Sequence, residues 1–168
     1  MKYILALTFI VLGNISSAGD SVDIDEIATG LNSIDAGTFA YYLFTDDSKF
    51  KYVRERIESG DIGWIDIGRR LEKYSDGGVG TDLAISFAKA IQTNPSYSLS
   101  LMTDYEVLWS CSVPLLEPTK SEFDAYVERT IVAVEKLNDN EVSTKKKLCL
   151  EALFDARSFS EHEWPDDI

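Results

Sequence analysis

Apolar residues recur at helical spacing along most of this chain. Phe50, Val53 and Ile57 stand at i, i+3 and i+7, and Gly60 follows as a stop, which predicts a helix opened by Asp47 or Ser48 and closed at Ser59. Asp61 caps the next one, with Ile65 and Leu71 inward beside Trp64 or Ile67, and Ser75-Asp76-Gly77-Gly78 ends it. Thr81 or Asp82 opens a stretch in which Leu83, Ala84, Phe87, Ala88 and Ile91 share one face. Asn94-Pro95 reads as a cap and a first-turn proline. The apolar stripe Leu101, Met102, Tyr105, Leu108, Trp109 then carries the chain to Cys111. Pro114 and Pro118 mark a loop, and Thr119-x-x-Glu122 is a capping box for a long helix through Leu137. A last helix spans Glu141 to about Arg157, with Leu148, Cys149, Ala152 and Leu153 inward. Strand-like alternation is weak, although Ala40 to Phe44 suits a strand as well as a short helix.

The expected fold is therefore all-α, an irregular bundle of about six short helices, with solenoid-like stacking of helix pairs as the alternative. No motif repeats at a fixed period. Residues 1–18 carry one cation, Lys2, then an apolar run of about ten residues and the small residues Ser16-Ser17-Ala18, the pattern of a cleaved secretory signal. That run is too short for a bilayer core of roughly 30 Å. The expected organisation is a signal over 1–18, an acidic, partly ordered segment over 19–47, a helical domain over 48–157 and an acidic tail over 158–168. The expected location is the periplasm or the medium outside a bacterial cell. In an oxidising compartment the only two cysteines, Cys111 and Cys149, are expected to form a disulfide.

Charge changes the picture next. Sixteen Lys and Arg face twenty-nine Asp and Glu, and the formal net charge is −13. Nucleic acid is a poor partner for such a chain. Most of the excess lies at the two ends: no Lys or Arg falls between Gly19 and Asp47 or after Arg157. Acidic ends aid solubility, and they also suit capture of a basic partner. Lys145-Lys146-Lys147 breaks the pattern, because three cations in the first turns of a helix oppose its dipole; Glu141 is placed to pair with Lys145.

Motifs for chemistry are few. Gly77-Gly78-Val79-Gly80-Thr81-Asp82 matches one copy of a calcium-binding nonapeptide, but such ions lie between stacked copies, and an interhelical loop is the simpler reading. His162 is the sole histidine, which leaves no common zinc site and no base for a serine or cysteine nucleophile in the helical domain. No cofactor is expected. Carboxylates beside tryptophans, Asp104 and Glu106 near Trp109 or Asp61 near Trp64, are the candidates for acid–base chemistry.

The run Ser59-Gly60-Asp61 with Trp64, Leu71 and Asp76, then Ala90 with Asn94-Pro95, Cys111 with Pro114, and Cys149-Leu150 resembles the pattern of a family of small exported helical proteins of proteobacteria. The resemblance covers about Asp46 to Phe154. It implies export, helices and the disulfide, and it implies no activity and no site residue.

The functional expectation is a non-enzymatic protein-binding module, an inhibitor or immunity protein against an exported toxin or wall hydrolase. Its candidate contact residues are Tyr41, Tyr42, Asp46, Asp47, Glu161, Glu163 and Trp164. The alternatives are a carboxylate-dependent hydrolase or ligand carrier for envelope glycans, and an accessory subunit of an envelope complex. Oligomeric state is open.

Overall fold

The computed structural model describes residues 22–138, 142–162 and 164. The expected signal sequence lies outside them, as do Asp20, Glu141, Glu163 and residues 165–168. Among the described residues there are nine α-helices and no strand: α1 (Ile24–Gly30), α2 (Ala36–Thr45), α3 (Asp47–Glu58), α4 (Ile62–Leu71), α5 (Gly77–Ala90), α6 (Pro95–Leu101), α7 (Asp104–Cys111), α8 (Lys120–Glu135) and α9 (Ser143–His162). A 3-10 turn, Glu72–Tyr74, extends α4.

Nine helices instead of about six arise at two places in the chain. The acidic segment expected to be partly ordered contains α1 and α2, because Asp23 accepts from the Asp25 N–H at 3.0 Å and Asp25 and Glu26 sit where the helix dipole favours anions. Ala40 to Phe44 is accordingly helical. The stripe that ran continuously toward Cys111 is cut in two at Thr103, whose hydroxyl caps α7 while Glu106 bonds back to the Thr103 N–H at 2.6 Å. At either end of the interior, helices also run further than expected. Gly77 to Gly80, expected as a loop, form the first turn of α5, and α9 continues past Arg157 to His162.

The caps expected at Asp61, Asn94 and Thr119 are found, whereas α3 is capped by Asp46 one residue before the expected Asp47 or Ser48, and α5 opens at Gly77 ahead of the expected Thr81 or Asp82. Asp61 accepts from the N–H of Gly63 at 2.9 Å and of Trp64 at 3.4 Å. Asn94 accepts from Tyr97 N–H and donates its amide to the Gly60 carbonyl at 2.9 Å, so one side chain starts α6 and ties it to the end of α3. Gly60 has φ of +78°, and a Cβ there would lie 2.4 Å from the Thr93 hydroxyl, so both conformation and space require glycine.

The helices pack in a row. α3 lies against α5, α5 against α7 and α7 against α9, while α6 packs on α8 and α8 on α9. The all-α fold expected from the sequence is thus built of short helices packed on their neighbours. α1 covers α4, and α2 covers α3. Leu71, Leu83, Ile91, Leu99, Val107, Val127 and Leu153 are fully buried along the row; side chains of this kind contribute roughly 1.5–3 kcal/mol each relative to exposure. Close approach of α4 to its neighbours depends on Gly68, where a Cβ would stand 2.7 Å from Ile57 and 2.9 Å from Phe87.

The C-terminal half carries two further ties. Cys111 at the end of α7 is bonded to Cys149 in α9, with Cα atoms 5.2 Å apart and 38 positions between them in sequence. Tyr126 of α8 is completely buried and donates to the Ser110 carbonyl at 2.7 Å, one residue before the disulfide. Burial pushes its phenol pKa far up, so the hydroxyl remains a donor at any pH the protein meets.

Candidate functional site

Two of the three candidate acid–base residues, Asp61 and Glu106, have structural partners. Asp61 caps α4 and pairs with Arg56 at 3.4 Å, and Arg56 in turn lies over the ring of buried Trp64. Glu106 completes the α7 capping box and also pairs with Arg69 at 2.7 Å, across 37 positions of sequence. The same guanidinium nitrogen reaches Glu72 at 2.9 Å, and the guanidinium carbon lies 4.5 Å from the centre of the Phe87 ring. Partial burial opposes ionisation of Glu106, but the Thr103 N–H and the Arg69 guanidinium outweigh it and hold the carboxyl below the usual range. Arg69 is raised for the reciprocal reason: burial opposes its charge, and Glu72 and Glu106 overcome that. A carboxylate so held accepts hydrogen bonds and does not supply a proton at neutral pH.

Asp104 is exposed on the first turn of α7. Trp109 does not enter the core. The buried face of α7 is Val107, Ser110 and Cys111, whereas Tyr105, Leu108 and Trp109 face outward. The apolar stripe read from the sequence is therefore, apart from Met102, the solvent face of this part of the chain.

The candidate contact residues separate into two groups. Tyr41 and Tyr42 project from α2, 63% and 67% exposed, with ring centres 5.8 Å apart in an edge-on arrangement. Tyr74 comes close to the same helix face, since a Cβ at Gly37, one turn before Tyr41, would lie 3.7 Å from its ring. Asp46 and Asp47 follow directly. Asp46 caps α3; the Lys49 N–H and the Ser48 hydroxyl hold its carboxyl below the usual range. Asp47 is exposed.

The other group is at the C-terminus. Trp164 is half-buried, 5.1 Å from the ring of Phe123 and 6.2 Å from that of Phe159, and it clamps the end of α9 onto the start of α8. Glu161 is exposed on the last turn of α9, and Glu163 lies outside the described residues. Tyr41 and Tyr42 are thus displayed together with Asp46 and Asp47, while Trp164 is occupied within the fold.

Two lysines of the 145–147 cluster also have structural partners. Lys146 donates to the Glu135 and Leu137 carbonyls at the end of α8, at 2.9 and 2.7 Å, and Lys145 donates to the Ser100 carbonyl at the end of α6. Cations that oppose the dipole of their own helix therefore satisfy the carboxyl ends of two others. Lys147 pairs with Glu151 on the surface.

Fold and surface together define an all-α protein stapled by one disulfide, with an aromatic pair exposed at its acidic N-terminal end. Comparison with known proteins finds no matching family model, no matching curated protein and no matching solved structure. Among the described residues no helix is long and apolar enough to cross a membrane, and no group of three or more His, Cys, Asp or Glu is placed to hold a metal ion.

Proposed function

We propose that this protein is an exported, non-enzymatic binding module that occludes a basic protein partner, in the manner of an inhibitor or immunity protein against a toxin or wall hydrolase. The observation that carries the reading is the adjacent pair Tyr41 and Tyr42, exposed on a helix whose segment, from Val22 to Asp47, contains six acids and no Lys or Arg. Tyrosine is a preferred interface anchor because it covers a large area at low entropic cost, and the surrounding acids steer a cationic surface toward it. The resemblance to exported helical proteins and the disulfide support the oxidising compartment. Hydrolysis of envelope glycans has less support, because Glu106 is held ionised by the guanidinium it shares with Glu72.

Capture tests the reading. Oxidised mature protein immobilised and exposed to periplasmic and culture extracts should retain one basic protein in stoichiometric amount at low salt and release it as salt rises. Retention of nothing specific at either ionic strength contradicts it.

A further inference from the structure

α8 meets the core through Phe123, Tyr126, Val127, Thr130, Ile131 and Val134. Arg129, Val132 and Lys136 lie on its exposed side. Arg129 and Lys136 are seven positions apart, so they share one stripe of the helix, about 10 Å from each other along its axis. Beside that stripe runs a groove of about 740 Å³, lined by Arg129, Val132, Ala133 and Lys136 of α8 and by Thr93 and Pro95 from the turn that joins α5 to α6. The volume falls within the roughly 300–1,000 Å³ of ligand sites. The wall opposite α8 is held in place: Gln92 donates its amide to the Thr130 hydroxyl at 3.2 Å, and Asn94 donates to the Gly60 carbonyl at 2.9 Å.

Charge decides what the groove takes. Arg129 donates its Nε–H to the Ala125 carbonyl at 3.0 Å, and neither Arg129 nor Lys136 has a carboxylate partner among the described residues. The carboxylate in the wall, Glu128, is neutralised by Arg157 at 2.7 Å. Two uncompensated cations therefore border a recess whose other lining includes the apolar Pro95, Val132, Ala133 and Leu137. Lys146, outside the groove, donates to the Glu135 and Leu137 carbonyls, so the negative end of the α8 dipole is already answered and does not repel an anion there. Nor does the net charge of −13 decide against one. At 0.15 M salt exposed charges farther off than roughly 8 Å are screened, and those lining the groove act on its occupant.

We propose that the groove between α8 and the α5–α6 turn binds an acidic peptide segment of another protein, its carboxylates on Arg129 and Lys136 and its apolar side chains on Val132 and Ala133. An extended segment covers 10 Å in about three residues, so Glu-x-x-Glu with apolar x is the matching pattern. A basic segment is repelled by the same two cations, and a free inorganic anion leaves the apolar lining uncovered. The site is distinct from the α2 surface and does not depend on α2 binding a basic partner.

Backbone amide resonances of the oxidised mature protein at 0.15 M salt, followed during titration with an acetylated, amidated Gly-Glu-Leu-Leu-Glu-Gly peptide, test the assignment. The same peptide with Lys for Glu, and one with Ser for Leu, serve as controls. The Val132 and Ala133 amides should move saturably with the first peptide only. Arg129→Gln and Lys136→Gln should each weaken that titration about threefold and together about tenfold, as expected for exposed ion pairs. Arg129→Lys should weaken it less than Arg129→Gln, and Tyr41→Ala/Tyr42→Ala should leave it unchanged.

Stationary Val132 and Ala133 amides, an equal response to the Lys peptide, or a titration that Arg129→Gln/Lys136→Gln does not weaken overturns the assignment. An equal response to the Ser peptide marks simple anion binding and overturns it too, as does a shift with protein concentration alone, which marks a second copy as the occupant.

Discussion

The two acidic ends of this protein use their aromatic residues in opposite ways. At the N-terminal end Tyr41 and Tyr42 lie in water on a 10-residue helix that the core meets through Ala36, Ala40 and Leu43. At the C-terminal end Trp164 is seated against Phe123 and Phe159, and Asp124 holds Lys120 and the buried Ser160 hydroxyl close by. Acidic composition is common to both, so it does not distinguish a surface held ready for a partner from one already used by the fold. The difference lies in what the apolar residues touch.

That contrast can be broken most severely at the disulfide. Cys111→Ser/Cys149→Ser should lower stability by about 4 kcal/mol on the chain-entropy account, read from urea unfolding, because the closed loop of 38 residues joins α7 to α9. Next in size is Tyr126→Phe, which leaves the buried Ser110 carbonyl without its donor and should cost about 1–2 kcal/mol in the same assay. Trp164→Ala should cost about 1 kcal/mol by uncovering Phe123, whereas Tyr41→Ala/Tyr42→Ala should stay within about 0.5 kcal/mol of the parent. An equal stability loss at both ends would erase the distinction.

The smallest effect is in pH dependence. At the α2–α3 junction the Lys49 N–H and the Ser48 hydroxyl lower the pKa of Asp46, and at the other end Lys120 and Ser160 lower that of Asp124. A depressed carboxyl contributes stability that is fully present above its ordinary value of 3.8 and lost as pH falls through the lower folded value. Asp46→Asn should therefore lose less stability than the parent between about pH 5 and about pH 3, measured by thermal unfolding. A parent whose stability is flat over that range contradicts the assigned hydrogen bonds.

Much of this was readable in the sequence, and the misreadings share a cause. Caps are local, so Asp61, Asn94 and Thr119 announced their helices from residue type and spacing alone. Thr103-x-x-Glu106 is the same signal, but an apolar run passing through it gave the appearance of one continuous helix face. Periodicity says that a stripe is apolar without saying which side meets the core; in α7 the small residues Ser110 and Cys111 face inward because the disulfide draws that side toward α9. The pairing of Arg69 with Glu106 spans 37 positions and leaves no local trace, so Glu106 looked available for chemistry. The lysine cluster likewise found partners at the ends of α6 and α8, which only the fold brings near.

The central claim is that the N-terminal aromatic pair is displayed for a partner and the C-terminal one is not. Its most direct test is to immobilise the oxidised parent, Tyr41→Ala/Tyr42→Ala and Trp164→Ala side by side and compare what each retains from the same low-salt periplasmic extract. A basic protein held by the parent and by Trp164→Ala, and lost from the double tyrosine variant, is the predicted result. Equal retention by all three, or loss only with Trp164→Ala, would contradict it.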